Sequence, residues 1–265
     1  MVFIAMTQDQ KRIQKPVAEI VRPEITRIPK LTIFRRITRW LLIHLLRILI
    51  WLFINKKVTG IENIPREGPA LVVTNHLGDA DLILGAAATP RTVETFVKSE
   101  LRDFPVLGHL LEAYGVIWIH SGRPDRRAIR AALQVLEEGR IIGIAPEGRE
   151  SLSGALEEGT NGAAYIAIKA NVPILPLTFT GTENQNIFPN MKRFRRSHIT
   201  ITIGQPFNLP PYKTLRTGIT SGTETIMQKL ASQLPICYRG VYKMTDEVYE
   251  EDKTNTSEVD PHGCK

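Results

Sequence analysis

One stretch, Thr74 to Asp81, constrains the fold of this chain more than any other. It follows the apolar run 70–73, which is bounded by Gly and Pro and predicts a short buried strand. It precedes residues 82–88, an apolar run that predicts a helix with an acidic residue in its first turn. His76 therefore falls in the turn between a strand and a helix, where α/β proteins commonly place functional groups.

His76 is followed five residues later by Asp81. Because the chain bends at a strand-to-helix turn, the carboxylate can reach the imidazole. An aspartate bonded to one ring nitrogen fixes the tautomer and leaves the other nitrogen free to accept a proton. A helix-capping aspartate beside an exposed loop histidine would produce the same sequence. The pair alone therefore does not distinguish a catalytic role from a structural one.

The chain has 265 residues, a net charge of +7 and an isoelectric point near 9.5. This charge favours an anionic partner, such as a membrane surface, an acidic carrier protein or a phosphorylated substrate. No nucleic-acid-binding motif accompanies it, so we expect no nucleic-acid partner.

The N-terminal part combines a basic arm with a very apolar segment. Residues 1–36 are polar and basic, which predicts a flexible arm, and residues 40–54 are mostly Leu, Ile and Trp. This segment is short for a membrane span, which takes about 20 apolar residues. At 100° per residue one stripe combines basic and Trp residues, and further basic residues flank the segment: Arg36, Trp40, His44, Arg47 and Trp51 in the stripe, and Arg35, Arg36, Arg39, Lys56 and Lys57 at the flanks.

This pattern predicts an amphipathic helix over 37–57 that lies in a membrane interface. A helix buried in the protein core is the alternative. At the other end of the chain, residues 241–265 are acidic and polar, which predicts a disordered tail.

Strand and helix patterns alternate between these ends. Strands are predicted at 70–73, 93–98, 115–120, 141–145, 172–180 and 199–203, and helices at 82–88, 104–114, 124–138, 160–170 and 223–234. The alternation predicts an α/β fold with a mostly parallel or mixed sheet flanked by helices. Two prolines, Pro173 and Pro176, predict that the 172–180 strand lies at an edge or beside a loop.

Three further stretches contain candidate functional residues at or near predicted strands. In 145–151 a Gly-Arg pair follows a strand, which suits a phosphate or carboxylate, although a solvated loop would look the same. In 115–127 a strand is followed by clustered arginines that could equally form a solvated helix face. In 171–177 the Val-Pro-Ile-Leu-Pro run is also compatible with a plain edge strand.

In this order, the four stretches resemble the glycerolipid acyltransferase family, the lysophosphatidic acid acyltransferase group. The matching blocks are Asn75-His76-x4-Asp81, Gly115 to Ile119, Pro146-Glu147-Gly148 and Val172 to Pro176. The resemblance implies a glycerol-3-phosphate acyltransferase-like fold, with one acyltransferase domain over 58–240. It also implies that His76 is the general base, oriented by Asp81.

The resemblance further implies acceptor-binding residues, with two departures. The family's second block places Arg after the strand, where this chain has Ser121, with Arg123 two residues later. The third block usually runs Glu-Gly-Thr-Arg-Ser, whereas this chain has Glu147-Gly148-Arg149-Glu150-Ser151. The expected acceptor-binding set is therefore Asn75, Ser121, Arg123, Glu147, Gly148 and Arg149.

The expected reaction moves an acyl group from acyl-CoA or acyl carrier protein to the free hydroxyl of a lysoglycerolipid, foremost lysophosphatidic acid. It needs no metal and no resident cofactor. We expect the protein on the cytoplasmic face of a membrane, with a phospholipid surface and the lysolipid as partners, and with acyl carrier protein as a further partner if it is the donor. Another lysolipid or glycolipid acceptor, a membrane-associated thioester or lipid hydrolase, and a non-catalytic membrane-binding protein are the alternatives.

Overall fold

A computed structural model describes residues 26–120 and 125–243. Seven strands form one sheet: β1 (Ile54–Thr59), β2 (Ala70–Thr74), β3 (Val93–Lys98), β4 (Ile117–Ile119), β5 (Ile141–Ile144), β6 (Ile174–Thr180) and β7 (Ser197–Ile203). The α-helices of these residues are α1 (Ile33–Phe53), α2 (Ala80–Ala88), α3 (Leu107–Tyr114), α4 (Arg126–Glu137), α5 (Gly162–Ala170), α6 (Asn184–Lys192) and α7 (Leu215–Ala231). The alternation predicted from the sequence is present.

The sheet order is β1-β7-β6-β2-β5-β3-β4. Strands β2 to β6 are mutually parallel, and β7 pairs antiparallel with β6. The predicted α/β fold with a mostly parallel, mixed sheet is confirmed. The carboxyl ends of β2, β3, β5 and β6 therefore meet at one edge, where ligands bind in open α/β sheets.

Strand β6 lies inside the sheet, between β2 and β7, and all seven of its residues are buried. The prediction that it lies at an edge is wrong. Pro173 precedes the strand, and the carbonyl of Pro176 accepts from the Gly204 N–H on the β7 side. The missing N–H of Pro176 would point to that same side, where the ladder with β7 begins only at Leu177. Both prolines therefore fit an interior strand without losing a bond to β2.

Both faces of the sheet are covered, as parallel strands require. Successive residues of β2 point to opposite faces. Leu71 and Val73 pack against α4, α5 and α7, whereas Val72 packs against a cluster that includes Ile50 of α1 and Leu84 of α2.

Helix α1 begins at Ile33 and ends at Phe53, so the sequence placed its end four residues too late. Residues 54–57 belong to β1, which pairs with β7. Residues 33–36, assigned to the flexible arm, are helical, while residues 1–25 of that arm and residues 244–265 of the tail lie outside the described residues.

Two arginines of α1 face the protein instead of solvent, which corrects their expected place opposite lipid headgroups. Arg39 is 6% exposed and makes a two-bond ion pair with Glu94, at 2.7 and 2.8 Å. Its Nε also donates to the Tyr114 carbonyl. Arg47 donates to the Ala87 and Thr89 carbonyls at the end of α2. A buried charge is tolerated where it is paired and hydrogen-bonded, and these contacts hold α1 against the sheet.

The opposite side of α1 is apolar and exposed. It comprises Ile33, Phe34, Ile37, Trp40, Leu41, Leu45, Ile48, Leu49, Trp51 and Leu52, each at least 45% exposed. At 100° per residue most of these positions lie within a sector of about 140°. Among the helices of residues 26–120 and 125–243, none combines the length and apolarity needed to cross a bilayer.

Candidate active site

The turn between β2 and α2 carries a closely bonded His–Asp pair. Asp81 is 3% exposed, and its Oδ2 accepts from His76 Nδ1 at 3.0 Å, Leu77 N at 2.6 Å and Gly78 N at 3.0 Å. The same carboxylate oxygen therefore shapes the turn and orients the imidazole. His76 Nε2 has no hydrogen-bond partner among the described residues, so it is available to a substrate proton.

The turn fits closely against the chain that follows β6. A Cβ on Gly78 would lie 2.6 Å from the Thr182 carbonyl oxygen and 2.8 Å from Asn184 Oδ1. Asn184 at the start of α6 accepts from Asp79 N at 3.0 Å. Position 78 therefore needs glycine because of a close approach by a distant segment.

The charge around His76 is mixed but mainly negative. Burial of the imidazole lowers its pKa. The hydrogen bond and charge of Asp81, together with the charge of Glu150, outweigh this effect, so that the pKa lies above the ordinary 6.5. Lys98 at the end of β3 opposes them. A base with a raised pKa accepts a proton more readily but is neutral only at higher pH.

Glu147, at the turn after β5, bonds to the backbone of the His76 turn. Its Oε1 accepts from His76 N at 3.1 Å, and its Oε2 accepts from Glu157 N at 2.8 Å. Ser151 N in turn donates to the His76 carbonyl at 2.8 Å. Burial raises the pKa of Glu147 to about 7, although the two backbone N–H bonds oppose the shift. Since both carboxylate oxygens are used and the residue is 6% exposed, Glu147 positions His76 and does not present itself to an acceptor.

Asn75 also has a different place from the expected one. Its amide donates to the Phe179 carbonyl at 2.9 Å and accepts from Phe179 N at 2.8 Å, and the residue is 1% exposed. It joins the ends of β2 and β6 across the sheet. Asn75 is thus part of the scaffold beneath the site and not an acceptor ligand.

The residues after Glu147 form an exposed turn. Gly148 has a φ of +74°, a left-handed conformation that favours glycine. Arg149 is 58% exposed and is paired with Glu157 at 2.6 Å. Glu150, in contrast, is turned toward the site, where its Oε1 accepts from Asn184 at 2.9 Å. Burial raises the pKa of Glu150, and the charge of Asp79 adds to the shift.

Two expected acceptor residues, Ser121 and Arg123, lie outside the described residues. The block that precedes them is partly scaffold. Gly115 ends α3 with a φ of +86°, and its carbonyl accepts from the buried Arg39.

Sequence reasoning missed two residues that the structure brings to this site, Glu150 and Asn184. Glu150 was visible as a departure from the family's third block. Asn184 carries no such signal, because 105 residues separate it from Asp79.

Comparison with known proteins identifies the domain that holds the His–Asp turn. Residues 55–180 match the family described as Acyltransferase. The match spans β1 to β6 and contains both the His76 turn and the Glu147 turn.

Two lipid enzymes are among the named proteins that this part of the chain resembles. The 1-acyl-sn-glycerol-3-phosphate acyltransferase of Borreliella burgdorferi is 31% identical over 147 residues, covering 52% of this chain and 57% of its own. The lyso-ornithine lipid O-acyltransferase of Pseudomonas aeruginosa is 32% identical over 147 residues, covering 55% and 54%. The chain thus spans little more than half the length of either relative.

A solved structure has the same fold. The 1-acyl-sn-glycerophosphate (LPA) acyltransferase PlsC from Thermotoga maritima superposes with a TM-score of 0.56 at 22% identity, covering 76% of this chain and 84% of its own. The fold expected from the resemblance is thereby confirmed.

Proposed function

We propose that this protein transfers an acyl group from a thioester to the hydroxyl of a lysolipid. His76 Nε2 takes the proton of the acceptor hydroxyl, and the oxygen attacks the thioester carbonyl carbon. The carbon–sulfur bond then breaks and the thiol leaves with a proton. The observation that carries this proposal is the 3.0 Å bond from His76 Nδ1 to Asp81, which leaves Nε2 free at the carboxyl edge of the sheet.

The acyl donor proposed here is acyl-CoA or acyl carrier protein. Direct transfer needs no serine or cysteine nucleophile, since the acceptor oxygen itself forms the new ester bond. The chain's charge of +7 favours both donors, because each is anionic.

For the acceptor, lysophosphatidic acid is the first candidate. Both the Borreliella burgdorferi relative and the Thermotoga maritima enzyme are named for this acceptor class. On this view Arg149, the nearest arginine to the Glu147 turn in sequence, binds the phosphate after leaving Glu157.

A lysolipid with a cationic amine is the second candidate, and one observation favours it. Glu150 stands where the resembling family's third block carries Arg, and its carboxylate lies beside Asn184 and close enough to His76 to raise the pKa of that residue. A carboxylate there repels a phosphate and attracts an amine. The Pseudomonas aeruginosa relative is named for such an acceptor, lyso-ornithine lipid.

We place the acceptor in a membrane surface against the exposed apolar side of α1. Trp40 and Trp51 lie on that side at 59% and 69% exposure. Tryptophan is enriched at membrane–water interfaces, and a lysolipid substrate resides there.

The test is a panel of lysolipids, each offered with acyl-CoA and with acyl carrier protein, with products identified by mass spectrometry. An acylated product from lysophosphatidic acid or from lyso-ornithine lipid identifies the acceptor. Thioester turnover that ignores every acceptor would support a hydrolase instead. Absence of turnover by a membrane-bound, folded protein would support a binding protein without catalysis.

A further inference from the structure

The loop between α6 and β7, residues 193–196, presents an aromatic side chain at its tip. Phe194 is 86% exposed, and its φ of +53° is a left-handed conformation that bulky residues rarely adopt. The turn is fixed by backbone bonds from Phe194 N to the Met191 carbonyl and from Arg195 N to the Asn190 carbonyl. In water alone, both the exposure and the backbone conformation of Phe194 are unfavourable.

Basic residues surround this tip. Lys192, Arg193, Arg195 and Arg196 are all exposed, and the ion pairs of the described residues involve none of them. Lys56 and Lys57 are exposed on the neighbouring edge strand, paired with residues 199 and 200 of β7. Six cations thus lie on β1, the edge strand of the sheet, or in and beside the neighbouring 193–196 loop.

The tip is continuous with the apolar side of α1. The Phe194 ring lies 6.3 Å from the Phe53 ring at the end of that helix. Arg196 lies over the Trp51 ring at 5.6 Å and donates to the Leu52 carbonyl at 3.1 Å. The loop therefore extends the exposed apolar surface of α1 and adds to it the positive charge that the inward-facing Arg39 and Arg47 do not supply.

We propose that residues 192–196 are a second membrane-binding element, which inserts Phe194 into an anionic bilayer. Basic side chains bind the lipid headgroups, and the aromatic ring enters the interface beside Trp51. An acidic protein would match the charge equally, but the apolar continuity with α1 favours a bilayer. The proposal does not depend on the acyl-transfer chemistry.

This element also has a defined position relative to the His76 site. Asn184, at the start of α6, bonds to Asp79 and Glu150, and Lys192 ends the same helix. Nine helical residues span about 13 Å. Binding at both α1 and this loop would fix the tilt of the protein, so that the carboxyl edge of the sheet lies near the lipid surface.

The test uses the full chain and vesicles of phosphatidylcholine, with or without phosphatidylglycerol, in a sedimentation assay. Phe194→Gly removes the ring and suits the left-handed backbone, so it should leave the melting temperature unchanged or raise it. Arg193→Glu with Arg195→Glu reverses two charges. Lys213→Glu with Arg216→Glu makes the same charge change at the exposed start of α7, which covers the other face of the sheet.

We expect the loop charge variant to lose binding to the anionic vesicles by at least about tenfold, and Phe194→Gly by a few-fold, while the α7 variant binds like the parent. The proposal would be overturned if all three variants bound the anionic vesicles as tightly as the parent does. An equal loss in the α7 variant would overturn it too, since net charge alone would then explain the loss. Turnover of a monomeric, water-soluble acyl acceptor should be unchanged by Phe194→Gly, which separates this proposal from that of acyl transfer.

Discussion

The turns after β2 and β5 lie side by side, because the two strands are paired in parallel, but they are built differently. The His76 turn contains three bonds within six residues, in which one oxygen of Asp81 accepts from His76, Leu77 and Gly78. The Glu147 turn is held by partners on other segments, from His76 to Glu157 and Asn184. The His76 turn thus contains a local His–Asp geometry, whereas the charges of the Glu147 turn are arranged by the tertiary fold.

The largest effect on turnover should come from a substitution in the His76 turn. Replacement of His76 by Ala removes the proposed base, and turnover should fall at least about 10²-fold with an unchanged melting temperature. His198→Ala, at an exposed residue of β7, is the matched control and should keep its activity with a monomeric acceptor. Near-normal turnover in a folded His76→Ala protein would contradict the mechanism.

Asp81→Asn should have the next largest effect, because it keeps the shape of the side chain and removes its charge. We expect a loss of about tenfold to hundredfold in kcat. The hydrogen bond and charge of Asp81 raise the pKa of His76, so the pH at which activity rises should move downward in the variant. An unshifted pH–rate profile would show that His76 is not the titrating base.

Reversal of the charge of Glu150, in the Glu147 turn, should change the preference for one acceptor over another more than it changes kcat. Glu150→Arg restores the charge of the family's third block, so KM for lysophosphatidic acid should fall about three- to tenfold and KM for an amine lysolipid should rise. Glu158→Arg makes the same change at an exposed neighbouring position and should alter neither. If Glu150→Arg leaves both KM values as they are, Glu150 does not contact the acceptor.

Arg149→Ala distinguishes the two acceptor candidates within that turn. If Arg149 binds a phosphate, its loss should raise KM for lysophosphatidic acid roughly tenfold, the scale of a charged hydrogen bond. If its role is the exposed pair with Glu157, KM should change less than twofold, because the lost pair does not contact the acceptor and contributes little to stability.

Glu147, which is not proposed to react, should affect stability instead of turnover, through a pH dependence. The pKa of Glu147 is about 7 in the folded protein and near 4.5 when unfolded, so the folded state binds more protons between these values. Stability should therefore fall as pH rises from about 4.5 to 7, by up to about 3 kcal/mol, and then level off. Glu147→Gln should lack this slope in chemical unfolding. A parallel slope in both proteins would assign it to other groups.

Much of the local structure could be predicted from the sequence. The strand over 93–98 and the helices around 82–88, 124–138 and 160–170 are present, with ends shifted by at most two residues. The His76–Asp81 bond was also predicted. Each depends on contacts within a few residues, and periodicity and turn chemistry record such contacts directly.

Other features depended on the tertiary structure. The apolar residues of β6 indicate a buried strand, but they do not indicate its neighbours. Its place between β2 and β7 follows from the tertiary pairing of both of its edges. Strand β1 was merged with α1 because its basic residues, Lys56 and Lys57, continue the pattern of the helix and only the pairing with β7 makes them extended. The helix of residues 184–192 was not predicted, since its pattern is weak and it contains Pro189.

The sequence by itself determined the His76–Asp81 pair, since a carboxylate five residues from an imidazole can orient it wherever a strand turns into a helix. The tertiary structure decided what surrounds that pair. It placed Asn75 under the site and Glu147 on the His76 backbone, and it joined Asn184 to Glu150 across the site. It also turned Arg39 inward to Glu94, which leaves the apolar side of α1 exposed. These contacts join residues 34 to 104 positions apart along the chain, and only packing and long-range electrostatics bring them together.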